Sequence, residues 1–381
     1  MIREIELYEK PLEIIEKLGD NDGAEMSAWQ LGFICGLIKQ FKPTKIVEVG
    51  VAAGGTTAIL LNCISELGLN TEVHSVDLNE RYYRDKNKKT GFLVQKCKAF
   101  LQWDITHKMY LGGVLPQYLD EIGSDIDFLI LDTVHFMPGE ILDFLACLPK
   151  IKEGACVVLH DIILNHTRAP EAFATKLLLS SVVGEKIICK CNDNIYNYTD
   201  IGAFRVTKDT RKYIENLFLS LTVTWKNIPD MKQLELYNSW YKQYYSAELC
   251  EEFLSAVHLN NESFERRKAD FGKEIYDMCK LIKKLKEKEN VYIYGCGNYG
   301  RKIYNILLNS GINIKGFVIS ENQIKPDIEE LIEYVSDIDD DKCTYVIAMS
   351  IINQKSIDTQ KLKGECLNID YHLIEILKRM E

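Results

Sequence analysis

The stretch Lys45–Leu61, "KIVEVGVAAGGTTAILL", decides the fold. A β-branched run, Lys45–Val49, meets a cluster of small residues, Gly50–Gly55, and then an apolar run, Thr56–Leu61, with helical spacing. Small residues at a strand-to-helix turn let a ligand approach the backbone. Outward from this turn the alternation continues. Strand-like runs lie at Ile46–Val49, Glu72–Val76, Lys108–Leu111, Phe128–Leu131, Cys156–Leu159, Ile187–Lys190 and Gly202–Val206, with helical patterns between several of them. Such alternation predicts an α/β, doubly wound fold, a mostly parallel sheet covered by helices on both faces. Residues 1–42 read as helical, and the long stretch Asn79–Thr106 reads as an added helix or a lid.

A second turn of the same kind, "VYIYGCGNYGRKIYNILL", occupies Val291–Leu308 and opens a smaller α/β unit with strands at Val291–Tyr294, Gly316–Ile319 and Tyr345–Ala348. Between the two units the strand signal fades. There, Tyr237, Trp240, Tyr241, Tyr244 and Tyr245 recur at helical spacing, as a packing stripe or as a lid that stacks on sugars. "KLIKKLKEKEN", Lys280–Asn290, closes this part as a solvated helix or linker. The expected organisation is therefore residues 1–207, a helical segment 208–289, and a small Rossmann-like domain 290–381.

The composition bounds the function. Lys and Arg number 46 against 56 Asp and Glu, a formal net charge of -10, which argues against nucleic acid as the partner. None of the 12 cysteines forms a CxxC pair, and Cys189 and Cys191 are too close for zinc-knuckle spacing, so reduced thiols in a cytoplasmic protein are expected. The amino terminus lacks the apolar core of a signal peptide, and no run reaches the roughly 20 apolar residues of a membrane span.

The two glycine loops are spelled differently. A dinucleotide fingerprint, GxGxxG, brings a pyrophosphate onto a helix amino terminus. The first loop instead places Gly50 and Gly54 four apart, with Glu48 two residues before the first and Asp77 at the tip of the next strand. A carboxylate at Asp77 can accept both hydrogen bonds of a ribose diol, and Glu48 can face an ammonium or a water network. That set suits an adenosine with an amino-acid tail better than a pyrophosphate.

"VEVGVAAGGTT" followed by "SVDL" resembles motif I and the acidic ribose position of class I S-adenosylmethionine-dependent methyltransferases, over about residues 25–207. "DFLILDTVHFMPGEILDFLACLPKIKEGACVVLHDI", Asp127–Ile162, is similar to a stretch of the subgroup holding macrocin-type sugar O-methyltransferases and cephalosporin-hydroxylase-like proteins. The resemblance implies a seven-stranded sheet with one antiparallel strand near its edge. It implies S-adenosylmethionine held by Glu48, Gly50, Ala52, Gly54 and Asp77, and a small-molecule or glycan acceptor, a sugar hydroxyl being expected. It also implies Mg²⁺ on Asp132 and Asp161. The sequence departs from the subgroup at Val134, where an acid stands in the pattern, and at His160-Asp161, where two acids stand, with Ile162 offering no further ligand.

His135 and His160 are the substitutions that bear on chemistry. A neutral histidine can take a hydroxyl proton, and His135 is favoured as base by position. The pair could also bind a transition metal, or one could cap a turn. Catalysis is thus expected from His135, Asp132, His160 and Asp161. The rivals are a methyltransferase for another small hydroxylated or amino substrate, and a binding protein without turnover. The second loop, Gly295, Gly297 and Gly300, is a full GxGxxG, but Ser320 stands where an acid for ribose belongs. The unit resembles small Rossmann-like modules of bacterial sugar-modifying proteins. NAD, a nucleotide or nucleotide sugar, and a purely structural turn all remain open for it.

Overall fold

Alternating side chains split the central strands between two cores, and this is what buries the sheet on both faces. In the computed structural model, which describes residues 5–14, 25–99, 101, 103–167, 169–188, 198–349, 357 and 361–369, Val47, Val49, Leu129 and Leu131 join one apolar cluster. Their neighbours Ile46, Phe128 and Ile130 join the other.

The strands of this first unit are β1 (Lys45–Val49), β2 (Glu72–Asp77), β3 (His107–Leu111), β4 (Ile126–Leu131), β5 (Ile151–His160), β6 (Glu185–Ile187) and β7 (Ile201–Arg205). They form a seven-stranded sheet in the order β3-β2-β1-β4-β5-β7-β6. Only β7 runs antiparallel to its neighbours, as expected near the edge. The order reverses between β1 and β4, so the crevice beyond their carboxyl ends is where a ligand belongs. Residues 189 and 190 of the expected strand Ile187–Lys190 lie outside the described residues.

Helices α1 (Ala28–Phe41), α2 (Gly55–Glu66), α3 (Phe92–Lys98), α4 (Gly139–Cys147) and α5 (Ala174–Ser181) cover the sheet. Helix α1 starts where Ser27 and Gln30 form a reciprocal capping box. It stops at Lys42, whose φ of 47° is left-handed. The 79–106 stretch is neither a simple helix nor a bare loop: a bridge between Arg81 and Lys89 precedes α3.

The expected boundary at residue 207 is corrected by packing. The chain divides at Ser263, with Met1–Ser263 as one compact unit and Phe264–Glu381 as the other. Trp225, Leu234, Phe253 and Val257 are buried in the same cluster as the sheet residues, so the helical segment up to Ser263 is core rather than linker. Helix α6 (Met231–Tyr244) lies against α4 through its aromatic stripe. Tyr241 Oη donates to Leu142 O at 2.9 Å, Trp240 Nε1 to Ala146 O at 2.9 Å, and Tyr245 Oη to Leu145 O at 2.5 Å. The stripe therefore packs and satisfies carbonyls of α4. Tyr244, 40% exposed, is its one outward member.

Helix α7 (Ala247–Leu285) begins in the first unit and ends in the second, where Leu285 is buried. The second unit holds β8 (Asn290–Tyr294), β9 (Ile314–Ile319), β10 (Ile332–Tyr334), β11 (Cys343–Ile347) and β12 (Glu365–Asn368), with α8 (Asn298–Asn309) after β8. These strands form a parallel sheet in the order β10-β9-β8-β11-β12. Among the described residues no helix is long and apolar enough to cross a membrane.

Candidate active site

The glycine loop after β1 is locked to the end of β4. Gly50 has φ +96°, and a Cβ there would lie 1.7 Å from the Asp132 carbonyl oxygen. No side chain fits, so Gly50 serves the close approach of two chain segments as much as that of a ligand. Asp77, at the tip of β2, holds the rest of the loop. Its Oδ2 accepts from Val51 N at 2.9 Å and Ala52 N at 3.0 Å, while Oδ1 accepts from Asn79 N at 2.8 Å. Ala52 itself is left-handed, with φ 49°, and Gly54 caps the start of α2.

Glu48 does not stand where the sequence suggested. It is fully buried beneath the loop and is absent from the cleft wall. Its Oε2 accepts from Thr57 Oγ1 at 2.7 Å and Ser75 Oγ at 2.8 Å, while Oε1 has no partner. Burial raises this carboxyl to about 7 against the pull of those two hydroxyls. An acid two residues before a glycine, on a strand buried on both faces, must point into one core; the alternation of β1 forces this.

At the far side of the crevice four expected residues converge. His160 Nδ1 lies 2.9 Å from Asp132 Oδ1 and 3.7 Å from Asp161 Oδ2. His135 Nε2 lies 3.5 Å from Asp132 Oδ1 and 3.1 Å from Asp161 Oδ2. Both His135 (φ 60°) and Asp161 (φ 56°) are left-handed non-glycine residues, a costly backbone state that clusters at functional sites.

Glu140, on the first turn of α4, was not singled out by the sequence reading. It is fully buried, and its Oε1 accepts from His135 N at 2.8 Å and Thr133 Oγ1 at 2.9 Å. The same oxygen lies 3.3 Å from His135 Nδ1, in contact but not hydrogen-bonded. A glutamate five residues past a histidine at a strand end, on the turn that opens a helix, was the available signal.

This electrostatic setting corrects the expectation of a neutral base. Burial opposes a charge on His135, but Glu140, Asp132 and Asp161 together raise it to about 9, so it is protonated at neutral pH. Burial likewise opposes charge on His160, and Asp132 outweighs it to raise that pKa too. Burial would raise Asp132, but His160 and then His135 hold it below the usual carboxylate range.

The loop and the cluster open into one cleft of about 1090 Å³, whose wall includes Gly50, Asp77, Asp132, His135, His160 and Asp161. The same wall includes Thr167, Asn227, Gln233 and a buried pair, Asp143 and Tyr237, joined by a 2.5 Å hydrogen bond from Tyr237 Oη. Arg84 lines the mouth and pairs with Glu25 at 3.4 Å.

The second unit has a separate cleft of about 510 Å³ at the end of β8, lined by Gly295, Cys296, Gly297, Arg301 and Met349 among others. Gly300 is a packing glycine, since a Cβ would lie 1.8 Å from Gly295 O, whereas Gly297 faces open space. Ser320 is hydrogen-bonded to Tyr294 Oη at 2.7 Å, and Glu321 Oε1 accepts from Ser336 N at 3.0 Å.

Residues 47–162 match the family described as a methyltransferase domain, which spans the loop, Asp77 and the whole His/Asp cluster. No curated protein matches the chain. Among solved structures, the tomaymycin-synthesis O-methyltransferase TomG from Streptomyces achromogenes is similar at 16% identity and a TM-score of 0.35, over 54% of this chain and 92% of that one. An O-methyltransferase from Bacillus cereus is similar at 15% identity and 0.34, over 51% and 90%. The Podospora anserina methyltransferase PaMTH1 is similar at 12% identity and 0.36, over 52% and 88%. Likeness at this level carries no functional weight. The family match does: the first unit contains a methyltransferase domain, and the chain is an S-adenosylmethionine-dependent methyltransferase.

Proposed function

We propose that the methyl group passes from S-adenosylmethionine to a hydroxyl oxygen of a sugar or a similar small polyhydroxylated acceptor. The observation that carries the reading is that the glycine loop and the His/Asp cluster face one cleft, large enough for a cofactor and a second molecule. In this reading Asp77 keeps one lone-pair site for the ribose diol beyond the three backbone bonds it accepts. The loop backbone carries the rest of the cofactor.

Transfer is a direct displacement. The acceptor oxygen forms a bond to the methyl carbon as the sulfonium–methyl bond breaks, and the hydroxyl proton leaves to the carboxylates of the cluster. The chain contributes mainly orientation, which can supply much of a displacement barrier. Asp132 and Asp161 would hold the acceptor hydroxyl; the rings of His135 and His160 hold those carboxylates in place.

A neutral acceptor is supported by charge. Arg84 is the only Lys or Arg among the described residues lining the cleft, and Glu25 already engages it. Apart from His135 and His160, which face Asp132 and Asp161, the described wall offers no further cation to a phosphate or a coenzyme A ester. The test is release of S-adenosylhomocysteine from the whole chain with free sugars, methyl glycosides, catechol and a coenzyme A ester offered in parallel. Turnover with the sugars supports the reading, and turnover confined to the coenzyme A ester overturns it.

A further inference from the structure

The magnesium that the family resemblance implies does not suit this cluster. Mg²⁺ prefers an octahedral shell of hard oxygens. Two of the four converging side-chain atoms here are imidazole nitrogens, His135 Nε2 and His160 Nδ1. We propose that Asp132, His135 and His160 form a binding site for a first-row transition-metal dication rather than for Mg²⁺, with Asp161 facing the two imidazoles.

The distances carry the proposal. Metal–ligand bonds of about 2.0–2.2 Å place neighbouring ligand atoms roughly 2.9–3.6 Å apart in tetrahedral or octahedral shells. The four nitrogen–oxygen separations are 2.9, 3.1, 3.5 and 3.7 Å. One ligand atom from each of Asp132, His135 and His160 lies within 4.8 Å of the others, so a single ion can reach all three. Two nitrogens with carboxylate oxygens suit Mn²⁺, Fe²⁺, Co²⁺ or Zn²⁺.

The surroundings of His135 point the same way. A metal-binding histidine usually presents its other ring nitrogen to a carboxylate, which fixes the ring. Glu140 stands behind His135 in that position, with Oε1 3.3 Å from Nδ1. Both His135 Nδ1 and Glu140 Oε2 are buried without a hydrogen-bond partner. Nε2 gives up its proton to solvent as it takes a metal, and a small ring rotation would then let Nδ1–H donate to Glu140. The three ligand residues and Asp161 also line the cleft, so an ion has a path of entry and an open face for an acceptor oxygen. A dication bound there supplies a Lewis acid that lowers the pKa of an acceptor hydroxyl.

The proposal rests on reading this end of the cleft as the acceptor end, but metal binding is measurable without turnover. The experiment uses the whole chain, stripped with chelator and titrated with Mn²⁺, Co²⁺, Zn²⁺ and Mg²⁺ by calorimetry. Visible absorption of the Co²⁺ form reads the ligand field. S-adenosylhomocysteine binding is measured on the same samples.

The expected result is saturable binding of one transition ion per chain, with Co²⁺ bands of a nitrogen–oxygen site. His135→Ala should weaken binding at least about tenfold. His160→Asp, which restores an all-oxygen pair, should shift the Co²⁺-to-Mg²⁺ affinity ratio towards Mg²⁺. If both variants fold poorly, the wild-type stoichiometry and spectrum still decide. No one-to-one binding of any transition ion by a chain that still binds S-adenosylhomocysteine overturns the metal proposal alone. Binding that His135→Ala and His160→Asp both leave unchanged overturns it too, by placing the ion elsewhere. Loss of S-adenosylhomocysteine binding in the wild type would instead count against the cofactor reading.

Discussion

Asp77→Ala separates the two tasks assigned to Asp77, holding the loop and holding the ribose. In the chain alone its carboxylate accepts three backbone N–H groups, from Val51, Ala52 and Asn79, at 2.8–3.0 Å. Hydrogen bonds to a charged acceptor contribute about 1.5–3 kcal/mol each, and partial exposure reduces this to about 1 kcal/mol apiece here. Alanine should therefore cost about 3 kcal/mol in urea unfolding. With cofactor, one further charge-assisted bond to the ribose diol is lost. At about 1.5 kcal/mol, S-adenosylhomocysteine should bind roughly tenfold more weakly in equilibrium dialysis. Asp77→Asn keeps one oxygen for Val51 and Ala52 but loses the charge, so it should fall between the two on both measurements. Unchanged unfolding in Asp77→Ala would refute the structural role. Lost stability with unchanged affinity would leave Asp77 as a loop clamp only and remove it from the ribose.

Three further outcomes are expected. Glu140→Ala leaves His135 N and Thr133 Oγ1 without their acceptor in a fully buried place, which should cost about 2–5 kcal/mol in thermal or urea unfolding; a loss under about 1 kcal/mol would contradict the network. Burial raises Asp143 to about 7 against the hydrogen bond from Tyr237. The fold thus keeps a proton that the unfolded chain loses near 3.8, and stability falls as pH rises between the two values. Asp143→Asn should remove this dependence, gaining up to about 4 kcal/mol on the wild type between pH 4 and pH 8, and parallel pH–stability curves would refute it. A chain ended after Ser263 should fold by circular dichroism, whereas one ended after residue 207, which lacks Trp225 and its hydrogen bond from N to Asn260 Oδ1 at 2.7 Å, should not. Folding of the shorter chain would restore the linker reading.

Most strands of the first sheet were legible because they carry short apolar runs between turn residues: Lys45–Val49 and Ile126–Leu131 match the spans read from sequence to within two residues, whereas Glu185–Ile187 meets the expected Ile187–Lys190 only at Ile187. The second sheet was half legible. β10 is three residues long and β12 reads "ECLN", too short and too polar to signal a strand. The domain boundary was misread because helical spacing shows that Tyr237, Trp240 and Tyr241 share a face but not what that face meets; it meets α4. In the cleft, the sequence placed Asp132, His135, His160 and Asp161 together through their positions at two strand ends. It could not give their charge states, which depend on Glu140 and on burial. Nor could it show that Glu48 turns away from the ligand, since that follows from which of two buried faces the pleat assigns to it.

The central claim is that the first cleft is built for S-adenosylmethionine, and calorimetric titration of the whole chain with S-adenosylmethionine tests it most directly. The account predicts saturable binding of one molecule per chain, competed by S-adenosylhomocysteine and weakened in Asp77→Ala. A folded wild-type chain that gives no binding signal for either compound would contradict it.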